Sequence, residues 1–133
     1  ELAQLGRFLA LVPGADTIAL KALAAATVRD FDHFRAPLTD AELARRRAGT
    51  LSPAQDALLS IWGYPYVLEE FRFHITLSGK LPKAKAATLH TILDPILTPL
   101  IPSPVVIDAM SLMGEDENGM FHLIQRIELK PKS

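Results

Sequence analysis

Glu70-Phe71-Arg72-Phe73-His74-Ile75-Thr76-Leu77-Ser78-Gly79 alternates strictly between apolar and polar side chains. Successive side chains of a strand point to opposite faces. The pattern predicts a half-buried strand with Phe71, Phe73, Ile75 and Leu77 on its inner face. Arg72, His74, Thr76 and Ser78 then share the outer face. A guanidinium forks onto phosphate oxygens, hydroxyls donate to them, and an imidazole moves a proton near neutral pH. The row reads as a small anion site with a titratable centre. A polar face on an antiparallel strand is also, in the ordinary case, a solvated face. His74 and Thr76 lie about 6.7 Å apart along a strand, within reach of one phosphate.

Phe73-His74-Ile75-Thr76-Leu77 resembles the His-x-Thr/Ser-hydrophobic motif of the two-histidine (2H) phosphoesterase superfamily. That superfamily includes the RNA 2′,3′-cyclic phosphodiesterases and RNA-ligase-like proteins. Other stretches resemble one branch, an uncharacterised family found near phosphonate-utilisation genes. They are Gly6-Arg7-Phe8-Leu9-Ala10-Leu11-Val12-Pro13, Phe34-Arg35-Ala36-Pro37-Leu38-Thr39, Glu42-Leu43-Ala44-Arg45-Arg46-Arg47 and Trp62-Gly63-Tyr64-Pro65-Tyr66-Val67. The superfamily carries two such motifs, one per lobe, about a pseudo-two-fold axis; this sequence has one. The resemblance implies a C-terminal lobe whose N-terminal partner, with the first His-x-Thr, is missing. Residue 1 is Glu, and a strand-like pattern starts within a few residues. The expectation is therefore a fragment, inactive alone, completed by the missing lobe or by a second subunit.

The 133 residues are one domain's worth, 1–133, with 49% hydrophobic side chains to build a core. With 14 Lys and Arg against 15 Asp and Glu, no net field draws the chain to extended nucleic acid or to an acidic membrane. The absence of cysteine excludes disulfides and thiolate metal sites and fits a cytoplasmic protein.

Outward from the motif, Leu5 to Val12 reads as a strand ended by Pro13-Gly14. Asp16 caps a helix running to about Phe34 on the stripe Leu20, Leu23, Ala24, Thr27, Val28, Phe31, Phe34. Thr39-Asp40-Ala41-Glu42 and Ser52-Pro53-Ala54-Gln55 are capping boxes, each opening a helix. Gly49 closes the first of these, and the second ends near Trp62-Gly63. Pro82 opens a further helix on Ala86, Leu89, Ile92 and Leu93, broken or kinked at Asp94-Pro95. Val105 to Met113 and Phe121 to Lys130 read as strands joined through Asn118-Gly119. In the last, Phe121, Leu123, Ile127 and Leu129 share one face, and His122, Arg126, Glu128 and Lys130 the other. The order β-α-α-α-β-α-β-β gives an α+β fold, an antiparallel sheet with helices packed on one side.

His122 and Arg126 are accessory candidates if their strand lies near the motif, and otherwise an exposed edge. His33 at a helix end suits the dipole, and His90 sits on a helix flank at the surface. Of Arg45, Arg46 and Arg47, one could reach a phosphate, since consecutive helical positions fan out. Tyr66, with Tyr64 and Trp62, could stack on a base or sugar at a cleft rim or pin the helix–strand corner. No histidines show metal-ligand spacing, and no cofactor is expected.

The expected chemistry is metal-independent acid–base cleavage of a small cyclic or linear phosphodiester. His74 would be one of two imidazoles and Thr76 the oxygen-binding hydroxyl, with Arg72 and Ser78 as supporting phosphate ligands. For the phosphonate-linked branch, a phosphoribosyl cyclic phosphate is the implied substrate. The alternatives are a non-catalytic phosphate-ester-binding module, a lobe with half a site, and a homodimer that rebuilds the cleft.

Overall fold

The computed structural model describes residues 1–129. It has an α+β fold with antiparallel sheets, and it divides into two compact units, Glu1–Thr98 and Pro99–Ser133. No described helix is long and apolar enough to cross a membrane.

The first unit is built on a three-stranded antiparallel sheet, β1 (Leu2–Leu5), β2 (Phe8–Leu11) and β3 (Ile75–Thr76), in that order. The single strand expected over Leu5 to Val12 is instead a hairpin. Gly6 sits at φ +60°, and Gly6-Arg7 form a two-residue turn between the paired Leu5 and Phe8. Glycine at the first central position allows this turn, whose twist matches the flanking strands. Leu2 pairs with Leu11, and Leu11 with Ile75, so these three share one face with Leu9. The helix α4 (Lys83–Leu97) covers that face over β1 and β2. Leu2, Leu9 and Ala86 are its buried centre, with Leu89, Leu93 and Leu97 packed around them.

Pro95 does not break α4: it lies inside the helix, which continues to Leu97. The expected stripe differs at one position. Ile92 is 54% exposed, because the stripe runs from Leu89 through Leu93 to Leu97. His90 is also not a surface residue: it is partly buried, and its Nε2–H donates to Leu2 O at 3.2 Å, tying α4 to β1.

Between β2 and β3 the chain makes three further helices, α1 (Ile18–Phe31), α2 (Asp40–Arg47) and α3 (Pro53–Trp62). Asp16 accepts the Ile18 N–H at the start of α1. The α1 stripe is half-buried through Val28, but Phe31 and Phe34 are exposed. The helix ends at Phe31 and gives way to a 3₁₀ turn, Asp32–Phe34. Both capping boxes form, Thr39 with Glu42 and Ser52 with Gln55. Pro53 takes the first position of α3, Leu58 and Leu59 are its buried side, and Gly63 at φ +74° ends it. Each of these is a local signal that asks nothing of distant residues.

The second unit is a hairpin of β4 (Ala109–Glu115) and β5 (Phe121–Glu128). The residues from Val105 to Asp108, expected as strand, precede it without strand pairing. The pairing slips between Leu112 and Met113, which leaves Ile124 as a bulge and interrupts the expected alternation of β5. Asp116 builds the turn. Its Oδ1 accepts from Asn118 N and Met120 N, and Gly119 takes φ +77°. Phe121, Leu123 and Ile127 are all more than half exposed. Lys130 lies outside the described residues.

Candidate functional site

The motif strand is much shorter than its alternation suggests. Leu68–Glu70 form a 3₁₀ turn, which Leu68 enters at φ +52°. A branched side chain rarely adopts that left-handed conformation. The chain then runs extended from Phe71, and only Ile75 and Thr76 form strand pairs. Leu77 N still donates to Leu9 O at 2.9 Å. The next sheet bond is made by a side chain, because Leu9 N donates to Ser78 Oγ at 3.0 Å.

Thr76 lies opposite Ala10, on the face away from α4. His74 is two residues before it, and its ring packs against Phe8, which β2 presents to the same face, with centroids 5.8 Å apart. Both His74 and Thr76 are exposed. Phe73 behind them is half-buried, but Ile75 is 47% exposed, because β3 is the edge strand and α4 lies over β1 and β2.

His74 Nδ1 lies 2.8 Å from Arg72 O. A carbonyl oxygen only accepts, so Nδ1 carries the hydrogen. In the neutral ring the lone pair is then on Nε2. A backbone carbonyl and Phe8 together fix the tautomer and restrict the ring, which is the state a proton acceptor requires.

The neighbouring polar residues are placed differently. Arg72 folds back on its own turn, where Nη1 donates to Glu69 O at 2.8 Å and to Phe71 O at 2.9 Å. Nε and Nη2 are the donors left for a ligand. Ser78 gives its hydrogen to Gly79 O at 3.0 Å while its oxygen serves Leu9. Its hydroxyl is thus part of the sheet's bonding. Tyr66 packs edge-on against Tyr64 at 5.7 Å, and the Arg46 guanidinium lies 5.3 Å over the Tyr64 ring. Trp62 is half-buried at the end of α3. Arg47 pairs with Asp56 at 2.6 Å, and this raises its pKa. In the hairpin unit, His122 donates to Asp116 Oδ2 at 2.8 Å and Arg126 to Asp108 at 3.0 Å, so the fold already uses both side chains.

Sequence reasoning missed Arg35 and its relation to Gly63. Arg35 Nη2 donates to Ile61 O at 3.1 Å, where α3 leaves carbonyls unpaired, and Nε pairs with Asp32 at 2.7 Å. The signal was present in the cation three residues after an aspartate at a helix end.

The family described as "Protein of unknown function (DUF1045)" matches residues 1–122. The chain belongs to the DUF1045 family. It is also similar to the protein named "Ribose 1,5-bisphosphate phosphokinase PhnN" of Janthinobacterium sp. (strain Marseille), with 40% identity over 116 residues. The match covers 84% of this chain and 26% of that relative, so the chain spans about a quarter of the relative's length. No solved structure matches the DUF1045 chain.

Proposed function

We propose that this DUF1045 protein contributes one half of a two-histidine phosphoesterase site, cleaving a small phosphodiester of a phosphorylated ribose in the cytoplasm, within phosphonate metabolism. The observation that carries this reading is the His74 tautomer, with Nε2 free to accept and Thr76 two residues on, on the same face. In the reaction His74 Nε2 takes a proton from water or from a substrate hydroxyl. That oxygen forms a new bond to phosphorus as the bond to the leaving oxygen breaks. A second imidazole protonates the leaving oxygen. Thr76 holds a phosphoryl oxygen as charge builds on it. The second imidazole comes from another His-x-Thr/Ser, in a lobe outside these residues or in a second subunit. Acid–base chemistry of this kind needs no metal or cofactor.

The ribose phosphate enters from the relative's printed name. That name describes a kinase, yet this chain has no Gly-x4-Gly-Lys-Ser/Thr loop, one way of cradling nucleotide phosphates. We therefore carry over the phosphorylated sugar and not the phosphoryl transfer.

The test is kinetic, on the complete polypeptide with a cyclic phosphoribosyl substrate. His74→Ala should lower kcat on the order of 10²–10⁴-fold. Thr76→Val should lower it on the order of 10²–10³-fold with KM little changed. Both variants should melt with the wild type, because both side chains are exposed. Unchanged turnover in His74→Ala would end the proposal. Binding without turnover in the wild type would replace it with a phosphate-ester-binding module.

A further inference from the structure

A polar cleft lies within the Glu1–Thr98 unit and shares no lining residue with the His74 and Thr76 face. It is a cleft of about 480 Å³ between the end of α1, α2 and α3. His33, Arg35 and Arg47 line it together with Leu38, Leu43 and Leu59. The cleft is open to solvent on one side and has room for a small ligand.

Both arginines are held by carboxylates on a defined edge. Asp32 takes Arg35 Nε, and Ile61 O takes Nη2. Asp56 takes Arg47 Nε and Nη2, and Ser60 Oγ also accepts from Nη2. Among the described residues this leaves the Nη1 of each guanidinium outside the protein's own hydrogen bonds. Gly63 lets the Arg35 guanidinium lie against the backbone, because a Cβ there would stand 2.9 Å from Nη1. His33 packs against Phe34 with the rings tilted by 41° and their centroids 3.9 Å apart. The two carboxylates cancel the two guanidiniums in formal charge. The cleft therefore recognises by contact, through oriented donors, and not by long-range attraction.

We propose that this cleft is a binding site for a phosphate monoester with a small apolar body, independent of the His74 site. The phosphoryl oxygens accept from Arg35 Nη1, Arg47 Nη1 and His33. The carbon body lies on Leu38, Leu43 and Leu59. Donors from three side chains on one cleft suit a group with three terminal oxygens, and the leucines in its lining give the ester an advantage over the bare ion.

The test follows the histidine ring resonances by NMR during titration with phenyl phosphate, inorganic phosphate and phenol. Phenyl phosphate should shift His33 in a saturable way and bind more tightly than either other probe. Arg35→Gln should weaken it about 10-fold or more, the loss expected for one charge-assisted bond. Arg47→Lys keeps the ion pair with Asp56 but loses the free edge, and should weaken binding comparably in a protein that melts normally. An unmoved His33 at saturating probe would overturn the proposal, whatever His74 does. So would phenol binding as tightly as phenyl phosphate, or unchanged affinity in both arginine variants. Because His33 and His74 report separately, failure here leaves the His74 proposal standing, and the reverse also holds.

Discussion

Arg35 lies across the bare Cα of Gly63. A methyl group placed there would stand 2.9 Å from Nη1 and 3.2 Å from Cδ of the arginine. The left-handed glycine that ends α3 thus also seats the guanidinium that caps the Ile61 carbonyl of α3. Gly63→Ala should cost about 1–3 kcal/mol, from left-handed strain together with displacement of Arg35. In an Arg35→Ala background the same change should cost measurably less. Urea melts of the four proteins in this cycle check it, and full additivity would disconnect the two residues.

Ser78 should behave as a structural residue. Its Oγ accepts from the N–H of Leu9, a residue with no solvent exposure. Ser78→Ala leaves that buried donor unpaired and should destabilise by about 1–3 kcal/mol. Phosphate titration followed at His74 should be unchanged in the variant. Weakened phosphate binding at normal stability would return Ser78 to the ligand set.

Ala86 has no exposed surface and sits between α4 and the strand pair β1–β2. Ala86→Leu should overpack that contact and cost about 1–3 kcal/mol. The displaced helix would also lengthen the bond from His90 to Leu2 O. Thermal melting and the His90 ring resonances would report the two effects separately.

The Asp116 turn should be acid-sensitive. The hydrogen bond from His122, then the N–H of Met120 and that of Asn118, hold the Asp116 carboxyl below the usual aspartate range. A depressed folded-state pKa stabilises above the unfolded carboxyl's value, and the effect is lost as pH falls through the depressed one. The hairpin should therefore keep its NMR pattern at neutral pH and lose it in strong acid. Asp116→Asn should weaken the turn at neutral pH and flatten the acid transition. An acid transition unaffected by this change would assign it to other groups.

The features legible in the sequence were those set by a few adjacent residues. Thr39 with Glu42, Ser52 with Gln55, Pro53 and Gly63 define helix ends through local hydrogen bonds and backbone preference. The alternation around His74 also placed His74 and Thr76 on one face, away from Leu11 and Ile75. What failed depended on turns and packing partners that alternation and stripe patterns do not show. The helix α4 tolerates Pro95 because Leu93 and Leu97 on either side of it pack on the sheet core. The Gly6 turn was missed because apolar residues stand directly on both sides of Gly6-Arg7, and the pairing of Leu2 with Leu11 that reveals the hairpin spans the whole segment. Ser78 and Arg72 looked like a ligand's donors, yet their partners are backbone groups positioned by the Leu68 turn and the β2 edge. The cleft at Arg35 and Arg47 needs three helices to meet, and no single stretch announces that.

The hydrogen bond from His74 to the Arg72 carbonyl has an evolutionary consequence. Where an aspartate orients a histidine, one codon change removes the orienting group. Here the orienting group is a peptide oxygen, which every amino acid supplies. Arg72 can be exchanged for any residue that keeps the extended path, and the neutral ring will still carry its hydrogen on Nδ1. The protonation pattern of His74 is therefore inherited with the course of the backbone, and side-chain drift around it leaves it intact.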